Sequence, residues 1–253
     1  MQILLACAKT MNDATSVSVP CSSLPRFQEE ARRFALDMCS LDQEEISQQL
    51  HCNAKIAAQN KARYMSFFNE EELLPAFLAY YGQAYRYLEA RRFTHDDFLF
   101  AQDHLWIASF LYGLLRPLDK IHPYRLEGKV RLPWAQGKDM FGFWKSRLTD
   151  ILIDAVQADD GILLHLATEE FQHLFDWKRV EESVRVVQPQ FMVCKGEGLK
   201  TVVVYAKTCR GAMARYVITR RLGSLSVLKE FRFEGFEYHG EYGKCDKPYF
   251  VIE

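Results

Sequence analysis

The sequence predicts an α+β fold: a single domain over residues 1–253, in which a mixed sheet is surrounded by helices. Apolar side chains recur at helical spacing through much of the first 156 residues, which is typical of amphipathic helices. After residue 162 the chain carries short apolar runs of strand length, two of which flank a glycine-containing turn. No Pro-, Gly- or Ser-rich linker separates the two regions, which favours one domain.

The first part of the chain predicts one strand followed by helices. Ile3–Cys7 is a short apolar run that predicts a strand. A helix is predicted from about Arg26, where apolar residues begin to repeat at helical spacing. Ser40 and Gln43 have the spacing of a capping box, which predicts the start of a second helix, and a third is predicted over Ala54–Met65.

A further helix is predicted to begin at Thr94, because Asp97 follows three residues later as in a capping box. Its buried face is predicted to contain Phe98, Ala101, Leu105 and Ala108. The chain is then expected to turn near Tyr112-Gly113 and to continue as a second helix. The remaining predicted elements are a helix over Asp139–Val156, a strand over Ile162–Ala167, a hairpin of Val184–Val193 and Lys200–Tyr205 around Gly196-Glu197-Gly198, a helix over Cys209–Leu222, and strands over Phe231–Tyr238 and Tyr249–Ile252.

Composition excludes several classes of protein. The 253 residues are 49% hydrophobic and 26% charged, which predicts a soluble globular protein rather than a disordered one. No apolar run approaches the roughly 20 residues that span a bilayer, and the N-terminus does not have the pattern of a secretory signal, so we expect a cytoplasmic protein. A net charge of −1 argues against a histone-like DNA coater but leaves room for a local basic cleft.

The seven cysteines predict reduced thiols. Their number is odd and no pair has C-x-x-C spacing, so neither a disulfide framework nor a zinc finger is expected. Cys7 and Cys209 each lie close in sequence to a Lys or Arg, which would lower the pKa of these thiols if the charges were close in space.

The strongest charge asymmetry lies between Lys200 and Arg232, where eight basic residues face one acid, Glu230. Within it, residues 205–211 combine Lys207, Arg210 and a threonine at a predicted helix start. Helix N-termini favour anions, so this segment is a candidate phosphate or carboxylate site. A solvated basic surface paired with acids elsewhere explains the same pattern.

A second candidate covers residues 111–119 and 123–127. Two helices joined by a tight glycine turn would expose backbone amides to a phosphate, as a helix-hairpin-helix element does. An ordinary helical corner, with Asp119 and Glu127 pairing Arg116 and Arg125, accounts for the same residues.

Motifs of several enzyme classes are absent from the sequence. Ala8-Lys9-Thr10 follows a strand but does not have the glycines of a P-loop, and no G-x-S-x-G, H-E-x-x-H or G-x-G-x-x-G occurs. His95 lies in a predicted helix start and His165 and His173 do not have metal-ligand spacing, so all three are interpreted as structural or exposed. We therefore assign no catalytic residue, and expect no metal and no cofactor.

Several segments together resemble one family, in that family's order and over nearly the whole chain. They are Ala8-Lys9-Thr10, Phe100-Ala101-Gln102 with His104-Leu105, Leu111-Tyr112-Gly113-Leu114-Leu115-Arg116-Pro117-Leu118-Asp119, Pro123-Tyr124-Arg125-Leu126-Glu127, Gly137-Lys138-Asp139 with Phe143-Trp144, His165-Leu166-Ala167-Thr168-Glu169-Glu170, and Tyr205-Ala206-Lys207-Thr208-Cys209-Arg210-Gly211. On these motifs the sequence resembles the YaaA family of peroxide-stress proteins.

The resemblance implies a helix-hairpin-helix element, a positively charged cleft that binds DNA, and a cellular role in limiting damage when peroxide meets intracellular iron. It does not imply an established enzymatic reaction. The cleft residues that the resemblance implies are Lys9, Lys138, Lys207, Arg210 and Arg215, with Tyr85, Tyr124, Arg125 and Glu127 in or beside the cleft, and with Leu111, Tyr112, Gly113 and Arg116 in the hairpin. Cys7, Gln83 and Phe110 depart from the pattern, since the family usually has Pro, an acid and Gly there. Phe110 is bulky enough to limit access to the hairpin.

The leading hypothesis is therefore a cytoplasmic protein that binds duplex, distorted or bubble DNA through phosphates, with little base specificity. The alternative is an enzyme or receptor for a small phosphorylated metabolite or nucleotide, with Glu127 or a lysine as acid or base. An iron-sequestering protein is a third reading, which has no compact carboxylate and histidine ligand set in the sequence. The oligomeric state stays open.

Overall fold

The computed structural model describes residues 1–196 and 198–253, and over this range it has an α+β fold with mixed sheets surrounded by helices. Its helices are α1 (Gln28–Ser40), α2 (Gln43–Gln49), α3 (Ala54–Met65), α4 (Ala76–Ala79), α5 (Gln83–Leu88), α6 (His95–His104), α7 (Met140–Gln157), α8 (Trp177–Ser183), α9 (Val203–Arg220) and α10 (Leu225–Leu228). Its strands are β1 (Gln2–Ala6), β2 (Leu74–Pro75), β3 (Leu105–Ser109), β4 (Gly113–Leu115), β5 (Lys120–Ile121), β6 (Ile162–His165), β7 (Arg185–Val187), β8 (Gln190–Lys195), β9 (Gly198–Lys200), β10 (Arg232–Phe233), β11 (Phe236–Lys244) and β12 (Lys247–Ile252). Short 3-10 turns lie at Glu70–Glu72, Ala90–Arg92, Pro133–Ala135 and Glu169–Leu174.

The central sheet has the strand order β4-β3-β1-β6-β7. Strands β3, β1, β6 and β7 run parallel, and β4 pairs antiparallel with β3. Strands β1 and β3 are buried almost throughout, which is why their sequences are apolar runs rather than alternating patterns. All carboxyl ends of the parallel strands therefore lie at one edge of the sheet.

The second sheet has the order β10-β11-β12-β8-β9. The predicted strand Tyr249–Ile252 lies within β12, whereas the predicted single strand Phe231–Tyr238 is divided into the antiparallel strands β10 and β11. A hairpin is present around the predicted turn as the antiparallel pair β8 and β9, and its turn residue Glu197 lies outside the described residues. The predicted strand bounds are wrong: Val184–Val193 is divided between β7 and β8, and of Lys200–Tyr205 only Lys200 is in a strand, since Val203–Tyr205 belongs to α9. A separate two-stranded ladder joins β2 and β5.

One hydrophobic cluster connects the two sheets, with members such as Leu4 in β1 and Phe250 in β12, both fully buried. Helix α7 presents Phe143, Trp144 and Leu148 to this core, as its helical spacing predicts. This continuous core is consistent with a single domain, whereas the boundaries 1–253 stay a prediction. None of the described helices combines the length and apolarity needed to cross a membrane.

The residues that follow α6 correct the predicted helical extension and the helix-hairpin-helix element. Leu105–Ser109 is strand β3, and residues 110–112 form a turn into the antiparallel strand β4. Periodicity does not separate a buried strand from a buried helix in a short apolar run, and here pairing with β1 decides. The segment predicted as helix–turn–helix is therefore a strand–turn–strand unit.

The predicted capping boxes have different outcomes. The box at Thr94 is confirmed: the Asp97 carboxylate accepts a hydrogen bond from the Thr94 N–H at 3.0 Å, and the Thr94 hydroxyl accepts one from the Asp97 N–H at 3.2 Å. The box at Ser40 is wrong, because α1 continues through Ser40 and the box before α2 is formed by Asp42 and Glu45. Asp42 has the extended backbone that an N-cap residue requires.

Candidate functional site

The candidate site lies where the parallel strands of the central sheet end. The ladder continues past β1 and β6, since the Cys7 N–H donates to the Ala108 carbonyl at 2.9 Å and the Leu166 N–H donates to the Leu4 carbonyl at 2.9 Å. In this sheet the strand that follows β1 along the chain, β3, lies on one side of the neighbouring pair β1 and β6, whereas the strand that follows β6, β7, lies on the opposite side. Adjacent strands with oppositely directed connections form a crevice at their carboxyl ends, which is where open α/β sheets bind ligands.

A shared carboxylate holds two cations at this edge. The Nζ atom of Lys9 lies 2.7 Å from Oε2 of Glu127, and Nη2 of Arg125 lies 3.0 Å from Oε1 of the same carboxylate. The Arg125 carbonyl accepts a hydrogen bond from the Tyr64 hydroxyl at 2.8 Å, which positions this segment. Lys9 is 64% exposed and Glu127 only 13%, so the lysine faces solvent above the partly buried pair of Arg125 and Glu127.

Buried hydroxyl groups form the floor below these charges. The Tyr124 hydroxyl is hydrogen-bonded to the Tyr80 hydroxyl and to Oγ of Ser109, both at 2.7 Å. The Tyr85 hydroxyl donates to the Ala6 carbonyl at 2.9 Å. Burial raises the pKa of Tyr85 and Tyr124 well above the usual value, so both are neutral. The two predicted tyrosines thus support the site from below and are not available to stack on bases.

Helix α9 approaches the site through close packing against α5. A Cβ at Gly82 would lie 2.6 Å from the Cβ of Ala8, and the Gln83 side chain donates to the Thr208 hydroxyl at 2.9 Å. A Cβ at Gly211 would lie 1.9 Å from the Ala84 carbonyl oxygen, so only glycine allows the two helices to approach this closely. Residues 207–210 are in this way held next to the strand ends.

The predicted helix start at residues 205–211 is wrong. Helix α9 begins at Val203, so Lys207 and Arg210 lie within the helix, and their N–H groups are not those of its first turn. The β-branched Val202–Val204 run favours a strand, but Val203 and Val204 are exposed and open helix α9, whose later residues Thr208 and Gly211 pack against α5. Any anion bound here would be held by side chains rather than by the helix N-terminus.

Arg210 and His165 are the least compensated polar groups of the site. Burial lowers the pKa of the Arg210 guanidinium while Glu169 partly opposes this effect, yet no carboxylate among the described residues lies within 4.0 Å of it. His165 is 1% exposed, and neither ring nitrogen has a hydrogen-bond partner within the described part of the chain. Burial, together with the Arg210 charge, lowers the pKa of His165 to about 3, so the imidazole is neutral.

The thiols of Cys7 and Cys209 do not have the lowered pKa that neighbouring cations in the sequence suggested. Burial raises the pKa of Cys7 to about 12, and the Phe110 N–H and Tyr124 hydroxyl oppose this only in part. Burial, reinforced by the charge of Glu234, raises the pKa of Cys209 to about 12. Since the thiolate is the reactive form, the raised pKa disfavours the reaction of both thiols with peroxide at neutral pH.

Arg215 from the predicted cleft and Arg116 from the predicted hairpin lie apart from this cluster. Arg215 forms an ion pair with Glu89 at the other end of the α5–α9 contact. Arg116 lies at the amino end of β3, where it donates to the Leu105 carbonyl at 3.2 Å and covers the Trp106 ring at 3.4 Å. Lys138, also predicted for the cleft, is exposed before α7 and forms no ion pair with Glu127. We therefore define the strand-end site as Lys9, Arg125, Glu127, Lys207 and Arg210.

The predicted hairpin residues are buried and cannot receive a phosphate. Leu111 and Tyr112 are 0% and 2% exposed, and the Tyr112 hydroxyl accepts a hydrogen bond from the His122 N–H at 3.1 Å. Gly113 has φ +69°, and a Cβ there would lie 2.8 Å from the Trp144 ring. Phe110 stacks on Phe171 at 4.7 Å, so the bulky residue closes this turn as its size suggested.

Sequence reasoning missed several residues of the site. Ser109 was missed because it acts through the Tyr124 hydroxyl and has no local signature. Gln83 and Thr208 were each noted in the sequence, but their hydrogen bond was missed because it joins segments far apart in the chain. His165 could have been found, since it lies near the carboxyl end of a predicted strand. No group of three or more His, Cys, Asp or Glu residues suited to a metal ion occurs in residues 1–196 and 198–253.

Comparison with known proteins gives consistent matches along the chain. A family model described as peroxide stress protein YaaA matches residues 1–242. A UPF0246 protein of Bacteroides fragilis is 48% identical over 240 residues, which are 94% of this chain and 93% of the relative. UPF0246 proteins of Parabacteroides distasonis and Porphyromonas gingivalis are each 42% identical, with both chains covered completely.

Proposed function

This chain belongs to the peroxide stress protein YaaA family, and we propose that it acts in peroxide stress by binding the phosphate backbone of DNA at the strand-end site. Binding is electrostatic and carries little base specificity, because the cations are phosphate partners rather than base readers. By occupying DNA in the cytoplasm, the protein would limit the damage that peroxide and iron cause there.

The observation that carries this proposal is that the cations of the strand-end site have too few carboxylates to pair with. Four cations belong to the strand-end site, and Glu127 is the one carboxylate within the described residues that forms ion pairs with them. Arg210 is partly buried without such a partner, and a buried cation is unfavourable until an anion pairs with it. A phosphate is the anion that a guanidinium fork recognises best.

Whether the protein prefers duplex DNA or DNA with unpaired bases depends on which aromatic side chains near the site are exposed and can stack on bases. Tyr85 and Tyr124 are buried, so stacking on the unpaired bases of bubble DNA has to come from other rings. Tyr81 and Tyr205 are 42% and 47% exposed, and the Tyr81 N–H donates to the Thr10 carbonyl beside Lys9. These two rings are suited to stack on bases of distorted DNA.

Fluorescence anisotropy of labelled duplex and bubble DNA across a salt series tests the proposal. The logarithm of the binding constant should fall linearly with the logarithm of salt concentration, with a slope of about −0.9 for each phosphate contact. The double variant Lys207→Gln and Arg210→Gln should lower affinity at least about tenfold and reduce the slope by about 2. Salt-independent binding, or binding that the double variant leaves intact, would contradict it.

The matched control is Lys244→Gln with Lys247→Gln, which removes the same charge from exposed positions of the β11–β12 hairpin. It should bind DNA as the unmodified protein does. Glu127→Gln adds an opposite perturbation: it frees Lys9 and Arg125 from their shared carboxylate and should strengthen DNA binding.

A receptor or enzyme for a small phosphorylated metabolite or nucleotide is the second candidate function. The crevice between the ends of β1 and β6, together with the unpartnered nitrogens of buried His165, favours it. A mononucleotide that raises the melting temperature and displaces DNA would support this candidate. Stabilisation by oligonucleotide alone would favour DNA binding.

A further inference from the structure

A cavity of about 660 Å³ lies outside the strand-end site and is lined mainly by basic side chains. We call it the cationic groove; it is defined by Lys129, Arg131, Lys145 and His173, with Phe141 at its floor and Asp139 as its one acid. All four basic side chains are exposed, and Phe141 is partly buried against Gly128, where a Cβ would lie 2.1 Å from the ring.

Positive charge in the groove is not balanced by neighbouring acids. Within the described residues, no carboxylate lies within 4.0 Å of the charged groups of Lys129, Arg131 or Lys145. Arg131 donates to the Gly137 carbonyl at 2.8 Å, which holds its guanidinium at the groove. Asp139 is already used as the cap of α7, because its carboxylate accepts the Gly142 N–H at 2.8 Å.

We propose that the cationic groove is a second phosphate-binding surface, which contacts the backbone of the same DNA molecule that the strand-end site binds. This inference rests on the proposed function and adds residues that neither the sequence motifs nor the strand ends indicate.

The cationic groove lies close to the strand-end site, which supports the binding of one DNA molecule to both surfaces. Lys129 follows Glu127 by two residues, a span of at most about 7 Å. Phe110 lies between them, since it follows by two residues Ala108, whose carbonyl accepts the Cys7 N–H at 2.9 Å, and its ring lies 5.5 Å from that of Phe141. Phosphates advance about 3.4 Å along the duplex axis per nucleotide, so a few consecutive phosphates cover both surfaces.

The side chains of the groove favour a polymer over a small ligand. They are exposed around the partly buried Phe141 ring, which suits weak, additive phosphate contacts rather than enclosed recognition of one molecule. The volume by itself would admit a nucleotide, so a free nucleotide is the competing occupant that the experiment has to exclude.

The test compares two triple variants in the anisotropy salt series. Lys129→Gln, Arg131→Gln and Lys145→Gln remove the groove cations, whereas Lys55→Gln, Lys244→Gln and Lys247→Gln remove equal charge from exposed positions on other elements. The groove variant should lose at least about tenfold in DNA affinity, and its salt slope should become shallower by about 2 to 3. The control should stay within about twofold of the unmodified protein.

Each outcome decides between the two proposals. If the unmodified protein binds DNA and the groove variant keeps its affinity and slope, the groove inference is wrong and the proposed function stands. If the unmodified protein does not bind DNA, both are wrong. Displacement of bound DNA by ATP at stoichiometric concentration, abolished in the groove variant, would overturn the polymer assignment. The single reversal Lys145→Glu should weaken binding in the same direction and guards against a folding defect in the triple variant.

Discussion

Replacing His165 with leucine should remove a large part of the protein's loss of stability in acid. His165 is buried at 1% exposure, contacts the Trp177 ring at a centroid distance of 4.7 Å, and has no hydrogen bond to its ring nitrogens within the described residues. Leucine has a similar volume and is apolar, so the substitution itself should change the free energy of unfolding near pH 7 by no more than about 1.5 kcal/mol.

The size of the acid effect follows from linkage. The pKa of His165 is lowered from 6.5 to about 3 on folding, so the unfolded chain binds a proton in a pH range where the folded protein does not. Its contribution to stability is complete above the unfolded pKa and is lost as pH falls from about 6.5 towards 3. Between about pH 7 and pH 4.5, His165 alone should lower the free energy of unfolding by about 2 to 3 kcal/mol.

Urea unfolding followed by tryptophan fluorescence at these two pH values measures the effect in both proteins. The fall in stability should be smaller in His165→Leu by about 2 to 3 kcal/mol, which cancels the contributions of all other titrating groups. The exposed His95, changed to leucine as a control, should leave the pH dependence unchanged. Equal acid sensitivity in His165→Leu and the unmodified protein would refute the inference that His165 is held neutral by burial. Arg210→Gln should raise the pKa of His165, because the Arg210 charge contributes to lowering it.

Two further predictions concern the turn and the thiols. Gly113→Ala should destabilise the protein by about 2 to 4 kcal/mol in urea unfolding, since it combines strain at positive φ with a clash against Trp144. The control Gly137→Ala has φ +82° but no described atom within 4 Å of its Cβ, so it should cost only about 1 kcal/mol. Equal losses of stability in the two variants would contradict the role of the clash. Mass spectrometry after brief iodoacetamide labelling near pH 8 should find Cys7 and Cys209 unmodified, because burial raises the pKa of both thiols to about 12. Rapid labelling of either cysteine would contradict the raised pKa of that thiol. The exposed thiols for comparison are Cys21, Cys194 and Cys245.

Local sequence predicted an element well where a periodic pattern was long or a cap was present. Helix α3 has the predicted bounds, and α7 begins after Asp139, whose side chain caps it as an N-cap residue should. Prediction failed where a short apolar run allowed two conformations, as at Leu105–Ser109 and at Val203–Tyr205. At Leu105–Ser109 the deciding contact is distant in the chain, because pairing with β1 selects a strand. Val203–Tyr205 is exposed and forms the first turn of α9, whose later residues Thr208 and Gly211 pack against α5.

By itself the sequence determined which charged groups exist, the family motifs that they belong to, and the local elements that carry them. Only the tertiary structure decided which of these groups meet: Lys9 and Arg125 share Glu127 at the strand ends, whereas Arg215 and Arg116 are held elsewhere. The physical reason is that charge is a property of a residue, while burial and partnership depend on chain segments that the fold brings together from far apart.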